Sequence, residues 1–184
     1  MQALVIGIGN PDRGDDAVGV EAARQVAVER PDVTVLEFDD PSEAIDAWEP
    51  DDTVVVVDAV SSGGHPGDIH VLDAAAQKLP TGRWSAGGTH ALGLAAAVEI
   101  ARALGRLPRY LVVVGVEAKH FGHGRAMTEP VAAAVPAAVE AVLTALDDAE
   151  ALLTALDDAE ADADPVDADA DVGVAAIDDL GGEP

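Results

Sequence analysis

Short apolar runs alternate along the chain with segments in which apolar residues recur every three or four positions. The runs predict strands at residues 3–8, 33–38, 53–60 and 109–116, with a weaker candidate at 68–72. The helical period predicts helices at 16–29, 40–48, 89–104 and from 128 toward 160, the last with a bend at Pro136. This alternation predicts an α/β fold, a three-layer sandwich with a mostly parallel central sheet and helices on both faces.

Local signals support these boundaries. The four valines of Val54–Val57 are typical of a strand that is buried on both faces. Asp40 followed by Pro41, with Glu43 three residues after the cap, has the pattern of a helix start. Thr89 is the expected cap of the next helix, and Gly105 is expected to end it.

The C-terminal part of the chain has a different character. Residues 143–150 and 153–160 have the same sequence, Leu-Thr-Ala-Leu-Asp-Asp-Ala-Glu, which indicates a duplication that lengthened a helix. Every residue after Arg125 is neutral or acidic, and the last stretch is rich in Asp and Ala. We therefore divide the chain into an α/β domain, residues 1–146, and an acidic helix extension with a disordered tail, residues 147–184.

The composition limits the partners and the location. Ten Lys and Arg against 35 Asp and Glu give a net charge of −25, which repels nucleic acid and anionic membranes, so neither is expected as a partner. Many Asp and only two Lys indicate a salt-accumulating host. The chain has no Cys, no signal peptide is evident at its start, and no apolar run approaches the roughly 18 residues of a membrane span. We expect a cytoplasmic protein, whose oligomeric state stays open.

Candidate chemistry follows three predicted strands. Asp15 and Asp16 come after a glycine-rich loop that matches neither the dinucleotide fingerprint nor the phosphate-binding loop. Asp58 follows the valine run, and His90 lies at a predicted helix start. Either Asp of the first loop could be an ordinary helix cap, and His90 could be a surface residue. Together, one carboxylate of the first loop, Asp58 and His90 would make an open oxygen and nitrogen donor set for a divalent ion, with positions left for substrate.

Other polar residues are weaker candidates. His120 and His123 could bind a metal, although an exposed loop is the more ordinary interpretation. His65 and His70 are expected at the surface. Ser61 and Ser62 have no evident base, which argues against a serine nucleophile.

Three motifs resemble the hydrogenase maturation endopeptidase family when they are taken in order. They are Gly7-x-Gly9-Asn10-x-x-x-Gly14-Asp15-Asp16-Ala17-x-Gly19, Asp58-Ala59 at a strand end, and His90-x-Leu92-Gly93-Leu94. The resemblance covers residues 3–145 and implies a five-stranded sheet. It implies an endopeptidase that removes a C-terminal extension from the precursor of a nickel–iron hydrogenase large subunit after nickel insertion. Asp16, Asp58 and His90 would be its catalytic and metal-contacting residues, with the nickel presented by the substrate. Val114-Gly115-Val116-Glu117 would be a substrate-loop element.

Two other functions stay open. The start Gly7-Ile8-Gly9-Asn10-Pro11 is similar to that of peptidyl-tRNA hydrolase, but Asp15 and Asp16 stand where its catalytic residues should follow. A non-catalytic acidic module that binds a metal or a chaperone is the second alternative. Water activated by a carboxylate or by a metal is the expected nucleophile, and the residues do not decide between them.

Overall fold

The strands and helices lie close to their predicted positions. The structure is a computed structural model that describes residues 2–80 and 93–161. Its strands are β1 (Ala3–Ile8), β2 (Thr34–Phe38), β3 (Thr53–Val60), β4 (Ile69–Asp73) and β5 (Tyr110–Glu117). Its helices are α1 (Val18–Glu29), α2 (Leu94–Ala103) and α3 (Glu129–Ala161), with short 3₁₀ turns at Gly14–Ala17 and Glu43–Asp46.

The five strands form one sheet in the order β2-β1-β3-β5-β4. The first four of these pair in parallel, and β4 is antiparallel to β5 at the edge. This confirms the mostly parallel sheet. The chain passes from β1 to β2 on one side and then crosses to β3 on the other side of β1. The carboxyl ends of β1 and β3 therefore form the switch point at which sheets of this kind bind ligands.

Alternate residues of each central strand bury opposite faces of the sheet. Val5, Val55 and Val114 pack with α1 and α3 in one core. Leu4, Val56 and Val113 pack with α2 and Trp48 in the other. Because both faces are covered, the central strands are apolar at every position, which explains the valine runs. The arrangement is the predicted three-layer sandwich.

One predicted helix is wrong. The segment 40–48 forms only the 3₁₀ turn Glu43–Asp46. The carboxylate of Asp40 accepts hydrogen bonds from the backbone N–H and the hydroxyl of Ser42, at 2.8 and 2.7 Å, which closes a local turn in place of a helical cap. Trp48 is then buried and donates to the carbonyl of Arg106 at 3.1 Å. The turn is therefore followed by an anchored side chain.

The other helices differ only at their ends. The predicted cap Thr89 lies outside the described residues, and α2 is described from Leu94, with Gly93 at its N-cap. Gly105 has a φ of +66° directly after α2 ends, as expected for a helix stop. Helix α3 has 33 residues and continues through Pro136.

The duplicated segments have different environments although they share one helix. In the first copy Ala145, Leu146 and Ala149 are buried against the core. The corresponding Ala155, Leu156 and Ala159 of the second copy are exposed. The helix runs without a break across residue 146, and residues 162–184 lie outside the described part of the chain.

Helix α3 is also long and apolar enough, over Glu129–Leu156, to cross a membrane by length and composition alone. This corrects the expectation that the chain holds no such segment. A core helix passes the same test, and α3 packs its apolar face against α1, β3 and β5.

Candidate functional site

The first loop turns sharply so that Asp16 lies beside the end of β1. Gly9 has a φ of +132°, and a Cβ there would lie 1.9 Å from the carbonyl oxygen of Asp16, so only glycine fits. Gly19 lets α1 approach the sheet, since its Cβ would lie 2.3 Å from the carbonyl oxygen of Ile8. These two glycines fix the loop between β1 and α1 against the sheet.

Asp16 is almost fully buried, at 1% exposure. Its Oδ2 accepts a hydrogen bond from the backbone N–H of Asn10 at 3.2 Å, and a guanidinium nitrogen of Arg13 lies 3.7 Å from the same oxygen. Arg13 is itself buried, so this ion pair is poorly screened by water. The carboxylate is thus held in one orientation from two sides.

Asp58 lies within β3 and not at its end, because the strand continues to Val60. It pairs with Gly115 of β5, whereas the last pair between β3 and β1 is Val57 with Gly7. Asp58 therefore stands just beyond the part of β3 that β1 covers, on the side of the first loop. It is 2% exposed, and its Oδ1 has no hydrogen-bond partner among residues 2–80 and 93–161.

The two carboxylates influence each other. Burial raises the pKa of Asp58 well above its ordinary value, the negative charge of Asp16 raises it further, and a hydrogen bond from the Ala59 backbone only partly opposes this. A buried carboxyl group beside a second carboxylate is costly for the fold. Such a pair is typical of a site that binds a cation or moves a proton.

His90 lies outside the described residues, so its predicted place beside Asp16 and Asp58 stays a prediction. Within the described ranges no group of three or more His, Asp or Glu side chains is placed to hold a metal ion. That includes His120 and His123, which are both exposed. The structure thus brings together two of the three predicted residues.

Asp15 has a role that the sequence did not reveal. It is fully buried, and its carboxylate accepts hydrogen bonds from the backbone N–H groups of Lys119, His120 and Thr128 at 2.7–3.1 Å, and from the Thr128 hydroxyl at 2.7 Å. Burial alone would raise the pKa of Asp15, but these hydrogen bonds outweigh it and lower the pKa. Asp15 is therefore the internal anchor of the loop after β5. The sequence showed the adjacent pair of acidic residues, but it gave no indication of the hydrogen-bond partners of Asp15, which lie far along the chain.

Glu117 anchors the other loop at this end of the sheet. It is 2% exposed, and its carboxylate accepts the backbone N–H groups of Ser62, Gly63 and Gly64 at 2.9–3.1 Å. The Ser62 hydroxyl donates to it at 2.7 Å, and Nε2 of His70 lies 3.5 Å away. Burial would raise the pKa of Glu117, but the hydrogen bonds lower it.

These contacts support one expectation from the sequence and correct another. Because the pKa of Glu117 is lowered, its carboxylate is a weak base for Ser62, which agrees with the argument against a serine nucleophile. His70 is not a plain surface residue, since it is only one-third exposed and contacts Glu117. His65 is almost fully exposed, as expected.

Comparisons with known proteins agree with one another. A sequence model described as hydrogenase maturation protease matches residues 23–145, a range that includes Asp58 and His90. The chain is 32% identical over 152 residues to the hydrogenase 2 maturation protease of Escherichia coli, covering 79% of this chain and 91% of that protein.

Solved structures give the same result. The structure of the hydrogenase maturating endopeptidase HybD from E. coli is similar with a TM-score of 0.65 and 27% identity, over 81% of this chain and 94% of that one. A [NiFe] hydrogenase maturation protease HycI from Thermococcus kodakarensis is similar with a TM-score of 0.58 and 27% identity, over 79% and 92%. The likeness to these two structures covers most of this chain.

Proposed function

Because the chain belongs to the hydrogenase maturation protease family, we propose that it is an endopeptidase that removes a C-terminal extension from the precursor of a nickel–iron hydrogenase large subunit after nickel insertion. This assignment separates it from the peptidyl-tRNA hydrolase alternative. The observation that carries the proposal to this chain is the buried pair of Asp16, in the turn that follows β1, and Asp58, near the carboxyl end of β3. The pair lies at the switch point, where a substrate segment can approach from the edge of the sheet.

In this proposal the nickel belongs to the substrate, and the chain recognises it with Asp16, Asp58 and His90. Two carboxylates and one imidazole suit a borderline divalent cation. Oδ1 of Asp58, buried and without a hydrogen-bond partner in the described ranges, is an available donor atom for it. A cation at this position would offset the repulsion between the two carboxylates, so the site favours a metal-loaded precursor over an empty one.

The chain's own residues orient the parts of this site. Asn10 and Arg13 hold Asp16, while Asp15 and Glu117 each anchor one of the flanking loops. The scissile bond would then be attacked by water that a carboxylate or the bound metal activates. We place this activity in the cytoplasm of a salt-accumulating host, away from nucleic acid and membranes, as the charge of −25 favours.

The test is cleavage of a nickel-loaded precursor in high salt, followed by measurement of its intact mass. We expect loss of one C-terminal fragment with the wild-type protein, and no loss with a nickel-free precursor. His90→Ala should be inactive, while His65→Ala, a matched change at an almost fully exposed histidine, should keep its activity. Binding of the loaded precursor without any mass change would contradict the proposal and favour the non-catalytic interaction module.

A further inference from the structure

The loop between β5 and α3 concentrates positive charge on a strongly acidic protein. Lys119 and Arg125 lie in it together with His120 and His123, and all four are exposed. We call residues 119–125 the basic loop. It borders a groove of about 560 Å³ whose lining residues are Lys119, His120, Phe121, Gly122, Arg125, Ala126 and Thr128.

The cations of the basic loop differ from most of the other described cations in their partners, and Arg109, which precedes β5, is the one described cation outside the loop that shares this property. Six cations of the described chain form ion pairs with acidic side chains, namely Arg13, Arg24, Arg30, Lys78, Arg102 and Arg106. Lys119 and Arg125 form none with any residue in 2–80 or 93–161, although the chain carries 35 acidic residues. Their charge is therefore available to a partner.

The backbone of the basic loop is held firmly although its side chains are exposed. The carboxylate of Asp15 accepts hydrogen bonds from the N–H groups of residues 119 and 120 at the start of the loop and of residue 128 just beyond its end. In the middle, the N–H of Gly124 donates to the carbonyl of Asp12 at 2.7 Å, and the carbonyl of Arg125 accepts from Gly14 at 3.0 Å. A fixed backbone lowers the entropic cost of binding at this surface.

The same contacts place the basic loop next to the candidate active site. Asp15, which anchors the loop, directly precedes Asp16, and Arg13 contacts both Asp16 and the carbonyl of Phe121 in the loop. A substrate segment that passes Asp16 and leaves the sheet edge on this side meets the groove. The positive charge of the loop therefore favours a substrate segment that carries negative charge.

We propose that the basic loop binds carboxylate groups on the C-terminal extension of the precursor, including its free C-terminal carboxylate, and so positions the extension for cleavage. The proposal rests on the function proposed above and adds the chemistry of substrate recognition to it. Carboxylates are the groups that two cations and two imidazoles recognise best among peptide side chains. Elsewhere the surface charge repels an acidic segment, so this loop is the favoured place for one to bind.

The acidic tail of the chain is the other anionic segment to consider. Helix α3 starts beside the basic loop and leads away from it for 33 residues, or about 50 Å. The tail therefore begins far from the groove and would have to run most of its length back to reach it. The precursor extension has no such distance to cover, because it must lie next to Asp16 and Asp58, and so close to the basic loop, when it is cleaved.

The experiment measures binding of a fluorescent peptide by anisotropy. The probe is the C-terminal extension of the hydrogenase large-subunit precursor from the same genome, made with a free C-terminus and, in a second form, with amides in place of all its carboxylates. Lys119→Gln and Arg125→Gln should each weaken binding of the first form by about twofold to fivefold. Arg109→Gln is the matched control, because Arg109 is exposed, precedes β5 at the opposite end, and forms no ion pair within the described ranges.

Equal binding by Arg125→Gln, Lys119→Gln and Arg109→Gln would overturn the proposal, as would equal binding of the two peptide forms by the wild-type protein. Binding that is gained only after removal of residues 162–184 would assign the loop to the chain's own tail and overturn it as well. In the cleavage assay, the loop variants should raise KM and leave kcat unchanged. Cleavage with an unchanged KM contradicts the loop alone, while peptide binding that depends on the loop without any cleavage contradicts the peptidase function alone.

Discussion

Replacing Glu117 by Gln should destabilise the protein, because a buried carboxylate at this position accepts four donors from the loop that follows β3. Those donors are the backbone N–H groups of Ser62, Gly63 and Gly64 and the Ser62 hydroxyl, at 2.7–3.1 Å. Glutamine has the same size but only one accepting oxygen, and it turns an NH₂ group toward donors. The substitution therefore removes charge and acceptors without creating a cavity.

The magnitude follows from these contacts. A hydrogen bond to a charged group contributes about 1.5–3 kcal/mol, against about 0.5–1.5 kcal/mol for a neutral one. The amide oxygen keeps the neutral bonds to Gly63 and Gly64, and water can reach the exposed residues of this loop. We expect a net loss of about 2 kcal/mol, which corresponds to a fall in Tm of about 4–8 °C for a protein of this size.

The pH dependence gives a second check. Because the folded protein lowers the pKa of Glu117, this group contributes stability above its unfolded pKa of about 4.3 and loses it as the pH falls through the folded pKa. The difference in Tm between wild type and Glu117→Gln should be full at neutral pH and shrink below about pH 4. Thermal melts followed by circular dichroism over this range measure it.

Glu140→Gln is the matched control, since Glu140 is exposed on α3 and its loss should change stability by less than about 0.5 kcal/mol. An unchanged Tm for Glu117→Gln at neutral pH would refute the reasoning. A difference that stays constant down to acid pH would also refute it, because the loss would then come from shape and not from charge.

Three further predictions concern Asp15, Asp58 and the end of α3. Asp15→Asn should speed hydrogen exchange of the amides at Lys119 and Thr128 by about tenfold, and unchanged exchange would contradict its anchoring role. Asp58→Asn should raise Tm by a few degrees, since a desolvated charge is removed, while precursor cleavage stops; a lower Tm would contradict the cost assigned to that charge. Truncation after Glu150 should change Tm by less than about 2 °C, and a larger fall would mean that the second repeat supports the core.

The strands of this protein were predictable because a sheet covered on both faces demands continuous apolar runs. The strand at Val54–Val57 could be predicted from its own sequence, and the structure adds only which residues pack against it. The 40–48 helix was wrong for the opposite reason. The hydrogen bonds of Asp40 to Ser42 and the burial of Trp48 compete with helix formation, and both depend on surroundings that local patterns omit.

The residues of the candidate site also differ in how far the sequence could predict them. Asp16 and Asp58 were predictable because the loop after one parallel strand and the last residues of its neighbour meet at one edge of the sheet. The role of Asp15 was not, since its partners lie more than 100 residues away along the chain. Glu117 was expected to belong to a substrate loop, and the structure adds that its carboxylate is the acceptor for residues 62–64. That contact joins two loops which are separate in sequence.

The duplication in α3 has a geometric consequence. Ten residues turn an α-helix by about 1,000°, which is about 80° short of three full turns. The second copy therefore cannot present its leucines along the line that buries the first, and Leu146 is 1% exposed while Leu156 is 41% exposed. A duplication of seven or eleven residues would have kept the leucines of the second copy nearly on the buried side of the helix and extended the buried contact. The ten-residue step instead added a length of helix that the core does not constrain, so its sequence and length are free to drift.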